Sequence, residues 1–237
     1  MSKKLKNKKG WHPLWGVFIN IFLPSFILIQ SSQHQWLSVQ ATLIVALSLP
    51  LTYGFIEVLH QKKLQYLPLI GIVNILATAA VCLGGLSPHW VAVKEGVIPG
   101  IIGIIVLITA KTKKPFFKEI LYHQSVIDIG RIESMIEDKA NHEAYEKLLR
   151  STARLVALSY FIAMVLNYEL CRFTVTSPTN TAEFNIELGI FTIVAYIVVF
   201  LPSMAVMMFS FWRLLQDLEK LTHIKWTEML QPRTTIK

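Results

Sequence analysis

Charged residues that interrupt apolar runs are the first candidates for chemistry in this sequence. The stretch WVAVKEGVIPG, residues 90–100, places Lys94 next to Glu95 in a run that is otherwise apolar. Similar interruptions occur in NYELCRF and AEFNIELG further along the chain. The whole set is Lys94, Glu95, Glu169, Arg172, Glu183 and Glu187. Because ionisable groups in apolar membrane segments are rare and commonly functional, this set is the candidate functional or structural ion cluster.

The spacing of these charges predicts specific partners. Adjacent residues on a helix diverge by about 100°, so Lys94 and Glu95 face different neighbours. We predict that Lys94 bonds to Glu169 or Glu187. We also predict that Glu95 bonds to Arg172. Two interpretations stay open: an ion-pair clamp that fixes helix ends, or an outward-facing polar cavity that binds a charged ligand.

A second group of polar residues lies deeper in the apolar runs. Asn20, Asn74 and Asn167 each stand inside such a run, and Glu57 stands about one turn before the basic HQKK segment. Buried amides of this kind can line a path for a solute. More often they form hydrogen bonds between helices, which is the interpretation favoured for the three asparagines.

Motifs of soluble enzymes are missing from the sequence. It contains no Gly-rich phosphate loop, GxSxG, HExxH or CxxC pattern. The seven histidines are scattered, so we predict no catalytic residue, no metal and no cofactor. Cys82 and Cys171 fall at similar depths in two apolar runs, where a disulfide is possible but two buried thiols are favoured.

The elements that must position these residues are membrane helices. Hydrophobic residues make up 53% of the 237 residues and charged ones 16%, against about 25% charged in a soluble domain. Apolar runs of about 18 residues or more predict transmembrane helices. There are six candidate spans: 14–30, 41–59, 66–86, 90–110, 152–175 and 187–212. Asn20 and Pro24 interrupt the first. We therefore predict an all-α, polytopic protein with one membrane domain, 1–237.

The distribution of Lys and Arg predicts the orientation. With the N-terminus in the cytoplasm, every one of the 23 Lys and Arg residues except Lys94 and Arg172 falls in or beside a cytoplasmic segment. Both termini are then cytoplasmic. The net charge of +8 favours anionic lipid as the partner and not nucleic acid. The N-terminal apolar run lacks a small-residue cleavage pattern, which predicts an uncleaved signal-anchor helix.

The sizeable connection between spans four and five, 111–151, is predicted to be a cytoplasmic helical hairpin. Its second helix is expected to run from Ile132 into span five. An apolar face on its first helix consists of Phe116, Phe117, Ile120 and Leu121. That face indicates a hairpin lying on the membrane surface or, alternatively, a docking site for a partner.

The cytoplasmic tail, 213–237, repeats this amphipathic pattern. Its leucines Leu214, Leu218 and Leu221 share one helix face. We expect the tail to extend the last helix along the membrane surface.

Residues 38–121, about a third of the chain, carry a resemblance to known proteins. The matching features are the ATLIVAL span, the HQKK turn, the HWVAVK entry and the KKPFFKEIL exit. They resemble the bacterial intracellular septation protein A family of inner-membrane proteins and, more closely, an uncharacterised sister family of bacterial multi-pass proteins. Spans five and six and the hairpin resemble the sister family alone. The resemblance implies a bacterial inner-membrane location and no catalytic residues to transfer; Lys94 is the charged position that matches.

Two functional hypotheses follow. One is a non-enzymatic protein that acts in cell-envelope or septation processes through contacts with other membrane proteins. The alternative is a small dimeric transporter of a solute or ion that uses the polar cluster of spans four to six. The predicted partners are the lipid bilayer, and either other envelope proteins or a second copy of the chain.

Overall fold

The computed structural model describes residues 16–60, 66–112 and 139–222. Within these ranges the protein is all-helical, as predicted, and contains no strand. The helices are α1 (Leu23–Gln33), α2 (Val39–His60), α3 (Tyr66–Leu83), α4 (His89–Thr109), α5 (Lys139–Thr174), α6 (Ala182–Val198) and α7 (Phe200–Thr222).

Four of the described helical stretches are long and apolar enough to cross a membrane. They are Val39–Ile56, His89–Thr109, His142–Thr174 and Ala182–Thr222, the last of which contains α6 and α7. Two shorter apolar stretches are Phe18–Gln33 and Leu69–Leu83. Each of the six predicted spans therefore overlaps one of these stretches, and the four longest have the dimensions of transmembrane helices.

A proline accounts for the irregular start of the first helix. Residues Phe18–Phe22 form a π turn in which the amide of Leu23 donates to the carbonyl of Phe18, five residues back. Pro24 has no N–H to offer the carbonyl of Asn20, so an ordinary helical bond cannot form there. The predicted interruption of span one at Asn20 and Pro24 is therefore a local change of helix type.

The fifth helix confirms the predicted continuity between the connection and span five. It runs unbroken for 36 residues from Lys139 to Thr174. At about 1.5 Å per residue it is roughly 54 Å long. A hydrocarbon core is about 30 Å thick, so α5, with its polar N-terminal part, is longer than a single crossing requires. The predicted start at Ile132, and most of the hairpin (113–138), lie outside the described residues.

The chain divides into two compact units. Unit one holds the residues up to Lys94 together with Tyr168–Tyr196. Its α1 packs on α2, and α2 packs on α3. Its core contains Leu28, Leu43, Ala46, Cys82, Val91, Ala92, Cys171, Val175, Phe184, Leu188 and Phe191. Cys82 and Cys171 are thus buried thiols within one apolar cluster.

Unit two holds Glu95–Asn167 and the chain from Ile197 onward. Its core draws on the C-terminal half of α4, the N-terminal half of α5 and the C-terminal half of α7. The buried members are Val106, Ala110, Tyr145, Leu149, Ala153, Val156, Ala157, Leu214 and Leu218. The Ser210 hydroxyl donates to the Thr152 carbonyl at 3.3 Å, which joins α7 to α5.

The unit-two core corrects one prediction about the tail. Helix α7 continues to Thr222, as expected, but Leu214 and Leu218 are only 1% and 2% exposed. They pack in the cluster that contains Tyr145 and Leu149 of α5, so this face does not lie on the membrane surface. An apolar stripe predicts that a helix face is buried, but it does not predict whether lipid or another part of the protein buries it. Residues 223–237 of the predicted tail lie outside the described part.

Candidate functional site

The polar residues of unit one gather where two loops meet. Helix α3 ends at Leu83, and two residues later Gly85 has a φ of +67°, which suits glycine. The Leu86 amide donates back to the Val81 carbonyl at 3.1 Å. In the loop after α5, Asn180 also has a positive φ of 67°. The Thr179 hydroxyl of that loop donates to the Leu86 carbonyl at 2.9 Å. This bond joins loops 84–88 and 175–181, which we call the loop end.

Glu187 of α6 binds the second of these loops. One carboxylate oxygen accepts the backbone amides of Thr176 and Ser177, both at 2.8 Å. The other accepts the Ser177 hydroxyl at 2.8 Å and the Thr176 hydroxyl at 3.3 Å. Hydrogen bonds to an ionised acceptor are roughly twice as strong as those between neutral groups. The Glu187–loop contact therefore fixes the start of α6 to the segment that follows α5.

Lys94 reaches a partner that the sequence analysis did not assign to it. Its ammonium group donates to the side-chain carbonyl of Asn74 at 2.9 Å, in a half-buried position between α3 and α4. Both residues had been predicted as candidates, Lys94 in the ion cluster and Asn74 among the deeper amides. The structure brings them together, which gives Asn74 the inter-helix role favoured from the sequence.

Asn185 is a functional candidate that sequence reasoning missed. Its side chain is 1% exposed, and its amide nitrogen donates to the Val39 carbonyl at the start of α2, at 3.0 Å. Its side-chain oxygen has no hydrogen-bond partner among the described residues. The sequence signal was its position, because Asn185 stands in the AEFNIELG stretch between two of the predicted glutamates and two residues before predicted span six.

One turn further along α6, that helix approaches α1 very closely. A Cβ added at Gly189 would lie 3.0 Å from the Ser25 carbonyl oxygen and 2.9 Å from Ile29 Cγ1. The hydroxyls of Ser25 and Ser32 are buried and, within the described chain, have no hydrogen-bond partner. Small residues at such a crossing permit close backbone packing in membranes.

The remaining predicted residues lie elsewhere on the described helices. In unit one, Glu169 is half-buried on α5, whereas Arg172 and Glu183 are exposed at helix ends. The other four are Asn20 in the π turn, Asn167 and Glu95 in unit two, and Glu57 on α2, whose side chain lies outside the described atoms. The pairings of Lys94 with Glu169 or Glu187, and of Glu95 with Arg172, stay predictions.

The chemical role of the loop end is structural, because its hydrogen bonds hold the ends of helices in place. The Glu187 carboxylate accepts hydrogen bonds from the loop that follows α5, and Lys94 and Asn74 form a separate hydrogen bond between α4 and α3. Among the described residues, no three His, Cys, Asp or Glu side chains come together as metal ligands. Comparison of the chain with family models, curated proteins and solved structures finds no match.

Proposed function

We propose that the protein is a six-span inner-membrane protein of bacteria with both termini in the cytoplasm. The distribution of Lys and Arg supports this orientation, because it leaves only Lys94 and Arg172 on the outer side. The positions of the tryptophans agree with it. Trp36 and Trp90 are exposed beside the helix ends of unit one, and Trp212 is exposed near the predicted inner end of span six. Tryptophans favour the headgroup level at both membrane faces.

We further propose that it works without catalysis, through contacts with other membrane proteins of the cell envelope. The observation that carries this is the Glu187–loop contact, in which a carboxylate of the predicted cluster accepts four hydrogen bonds from its own loop. A charge satisfied in this way contributes little attraction to a ligand. It supports the clamp interpretation, in which a fixed loop end presents a stable surface. The resemblance to the septation family adds weight to an envelope role.

Exposed apolar side chains give this surface a character suited to protein contact. Trp36, Leu86 and Trp90 are 65%, 46% and 53% exposed at or beside the loops of unit one. Tryptophan is enriched among the residues that dominate binding energy at protein interfaces. The loop end thus combines a fixed backbone with large apolar side chains.

Site-specific photo-crosslinking in growing cells tests this proposal. A photoreactive residue at Leu86 or Trp90 should yield discrete adducts with another envelope protein. The matched control is Ile104, which is 50% exposed in the middle of span four; there we expect lipid adducts. If a photoreactive residue at Leu86 or Trp90 crosslinks only to a second copy of the chain, the result would contradict the proposed role and favour a homodimer.

The transporter alternative is favoured by a separate observation. The buried oxygens of Ser25, Ser32 and Asn185 have no hydrogen-bond partner among the described residues, and all three lie in unit one. Buried polar atoms usually find a partner, and water or a solute can supply one. Reconstituted protein on a solid-supported membrane tests this: ion-dependent currents that Asn185→Leu abolishes would support transport, and no current across a panel of inorganic ions would oppose ion transport.

A further inference from the structure

Unit two contains a groove that neither functional hypothesis uses. It has a volume of about 490 Å³ and lies between the C-terminal end of α4 and the N-terminal half of α5. Its lining residues are Leu107, Ile108, Ala110, Lys111, Arg150 and Arg154. Arg150 and Arg154 are four residues apart on α5, so they project from the same helix face, one turn from each other.

The charge of this groove is one-sided. Among the described residues, the three ionisable side chains that line it are all cations, and no acid lines it. Arg150 donates to Glu146 at 2.7 Å, in an exposed pair that is worth little in water. Lys111 and Arg154 have no ion pair or hydrogen bond to any residue within the described ranges. The groove is therefore suited to an anion.

The apolar part of the lining restricts what that anion can be. Leu107 and Ile108 are 37% and 66% exposed at the end of a membrane-length helix, directly before Lys111. An occupant has to cover apolar surface on one side and meet three cations on the other. A free inorganic anion covers no apolar surface, whereas a phospholipid does both with one molecule.

We propose that this groove binds the headgroup of an anionic phospholipid. The phosphate lies among Lys111, Arg150 and Arg154, and the upper part of an acyl chain lies along Leu107 and Ile108. The planar guanidinium groups bind phosphate oxygens through paired hydrogen bonds. Basic pockets between transmembrane helices on the cytoplasmic side bind anionic lipid headgroups in this manner. The inference goes beyond the proposed envelope role, and the site could exist in a protein of either function.

Lipid retention by the full chain tests the proposal. The protein, purified in mild detergent, is titrated with phosphatidylglycerol or phosphatidylcholine, and bound lipid is counted by native mass spectrometry. We expect one phosphatidylglycerol to bind more tightly than phosphatidylcholine. The double variant Arg150→Gln with Arg154→Gln should bind it about thirtyfold more weakly, from the usual contribution of two juxtamembrane basic residues.

Two further variants make the result specific. Lys147→Gln is the matched control, because Lys147 is exposed on the same helix but does not line the groove. It should weaken binding clearly less than the arginine variant, because its charge does not contact the phosphate. The double variant Arg150→Lys with Arg154→Lys keeps the charge and loses the planar geometry, so it should fall between wild type and the Gln variant.

Three outcomes would overturn the proposal. The first is equal affinity of the wild-type protein for the two lipids. The second is an equal loss on Lys147→Gln, which would mean that total charge and not the groove holds the lipid. The third is displacement of the lipid by millimolar inorganic phosphate with no effect of Ile108→Ser, which would assign the cations to a free anion. Equal affinity for the two lipids is measured on the wild-type protein, so this test of the proposal holds even if a variant misfolds.

Discussion

The two units of this protein reach a folded state by different means. In unit one, polar side chains make the contacts between elements: Glu187 with its loop, Lys94 with Asn74, and Asn185 with the start of α2. In unit two, the cluster consists of Leu, Val, Ala and Tyr side chains, and the ion pairs of Arg150 with Glu146 and of Arg213 with Asp217 form within single helices. Both units bury an apolar cluster. Unit one adds several hydrogen bonds of polar side chains between its elements, whereas the described part of unit two shows one between α7 and α5, from Ser210 to Thr152.

The proposed membrane placement would give the two clusters different surroundings. In a bilayer, lipid tails are as apolar as leucine, so apolar burial separates packed from unpacked helices only weakly, and hydrogen bonds and close packing matter more. The cluster of unit two lies partly on the polar extension of α5, where water drives apolar association. From this comparison we predict that truncation of a buried side chain has the largest effect on stability in unit two. In unit one we predict that changes of charge or of backbone packing affect stability.

The largest effect is expected in unit two, for Leu214→Ala. Leu214 is 1% exposed in the cluster with Tyr145 and Leu149, so the change leaves a cavity. The free energy of unfolding should fall by about 2–5 kcal/mol. Thermal unfolding in mild detergent measures this. Leu201, 56% exposed on the same helix, is the control, and Leu201→Ala should cost much less. Equal losses would mean that the cluster does not stabilise unit two.

The next effect is expected in unit one, for Glu187→Gln. The amide keeps one acceptor oxygen, but its nitrogen faces amide and hydroxyl donors of Thr176 and Ser177. The loss should be about 1.5–3 kcal/mol, the range for hydrogen bonds to a charged group. Hydrogen exchange at the Thr176 and Ser177 amides should accelerate. Glu183→Gln is the control, since Glu183 is exposed on the same helix; matching acceleration there would mean that overall charge protects the loop.

Sequence reasoning predicted the helices better than their partners. Run length and proline position were enough to place the apolar stretches, including the break near Pro24. The contact of Glu187 depended on the backbone of Thr176 and Ser177, whose amides converge only after a turn has formed. Helical periodicity gives the face of a residue but not the rotation of its helix against a neighbour. For the same reason, periodicity did not predict the bond of Lys94 to Asn74 or the burial of the α7 leucines against α5. The pairings of Lys94 with carboxylates stay predictions.

Close packing in unit one gives a third prediction, for Gly189→Ala. The new methyl group would press on the Ser25 carbonyl at 3.0 Å, and backbone cannot yield as a side chain does. We expect a loss of about 1–2 kcal/mol, the lower part of the range for overpacking. In contrast, a Cβ at Gly71 meets nothing within 4 Å. Gly71→Ala in α3 should therefore be neutral or stabilising, because alanine has the higher helix propensity. Similar melting temperatures for both variants would show that α1 and α6 separate at little cost.

The smallest effect, and the sharpest test of how unit one is held, is the coupling between Lys94 and Asn74. A double-mutant cycle with Lys94→Met and Asn74→Ala should give about 0.6 kcal/mol, the average for side-chain hydrogen bonds in membranes, and no more than about 1.7 kcal/mol. Ser31→Ala supplies the control, because the Ser31 hydroxyl bonds to Thr42 at 2.9 Å. Lys94→Met and Ser31→Ala should be additive, as expected for sites that share no partner. Additivity of Lys94 with Asn74, together with coupling between Lys94→Met and Glu169→Gln, would make a carboxylate the main partner of Lys94. That result would restore the ion pair predicted from the sequence and would reduce the role of amide hydrogen bonds in unit one.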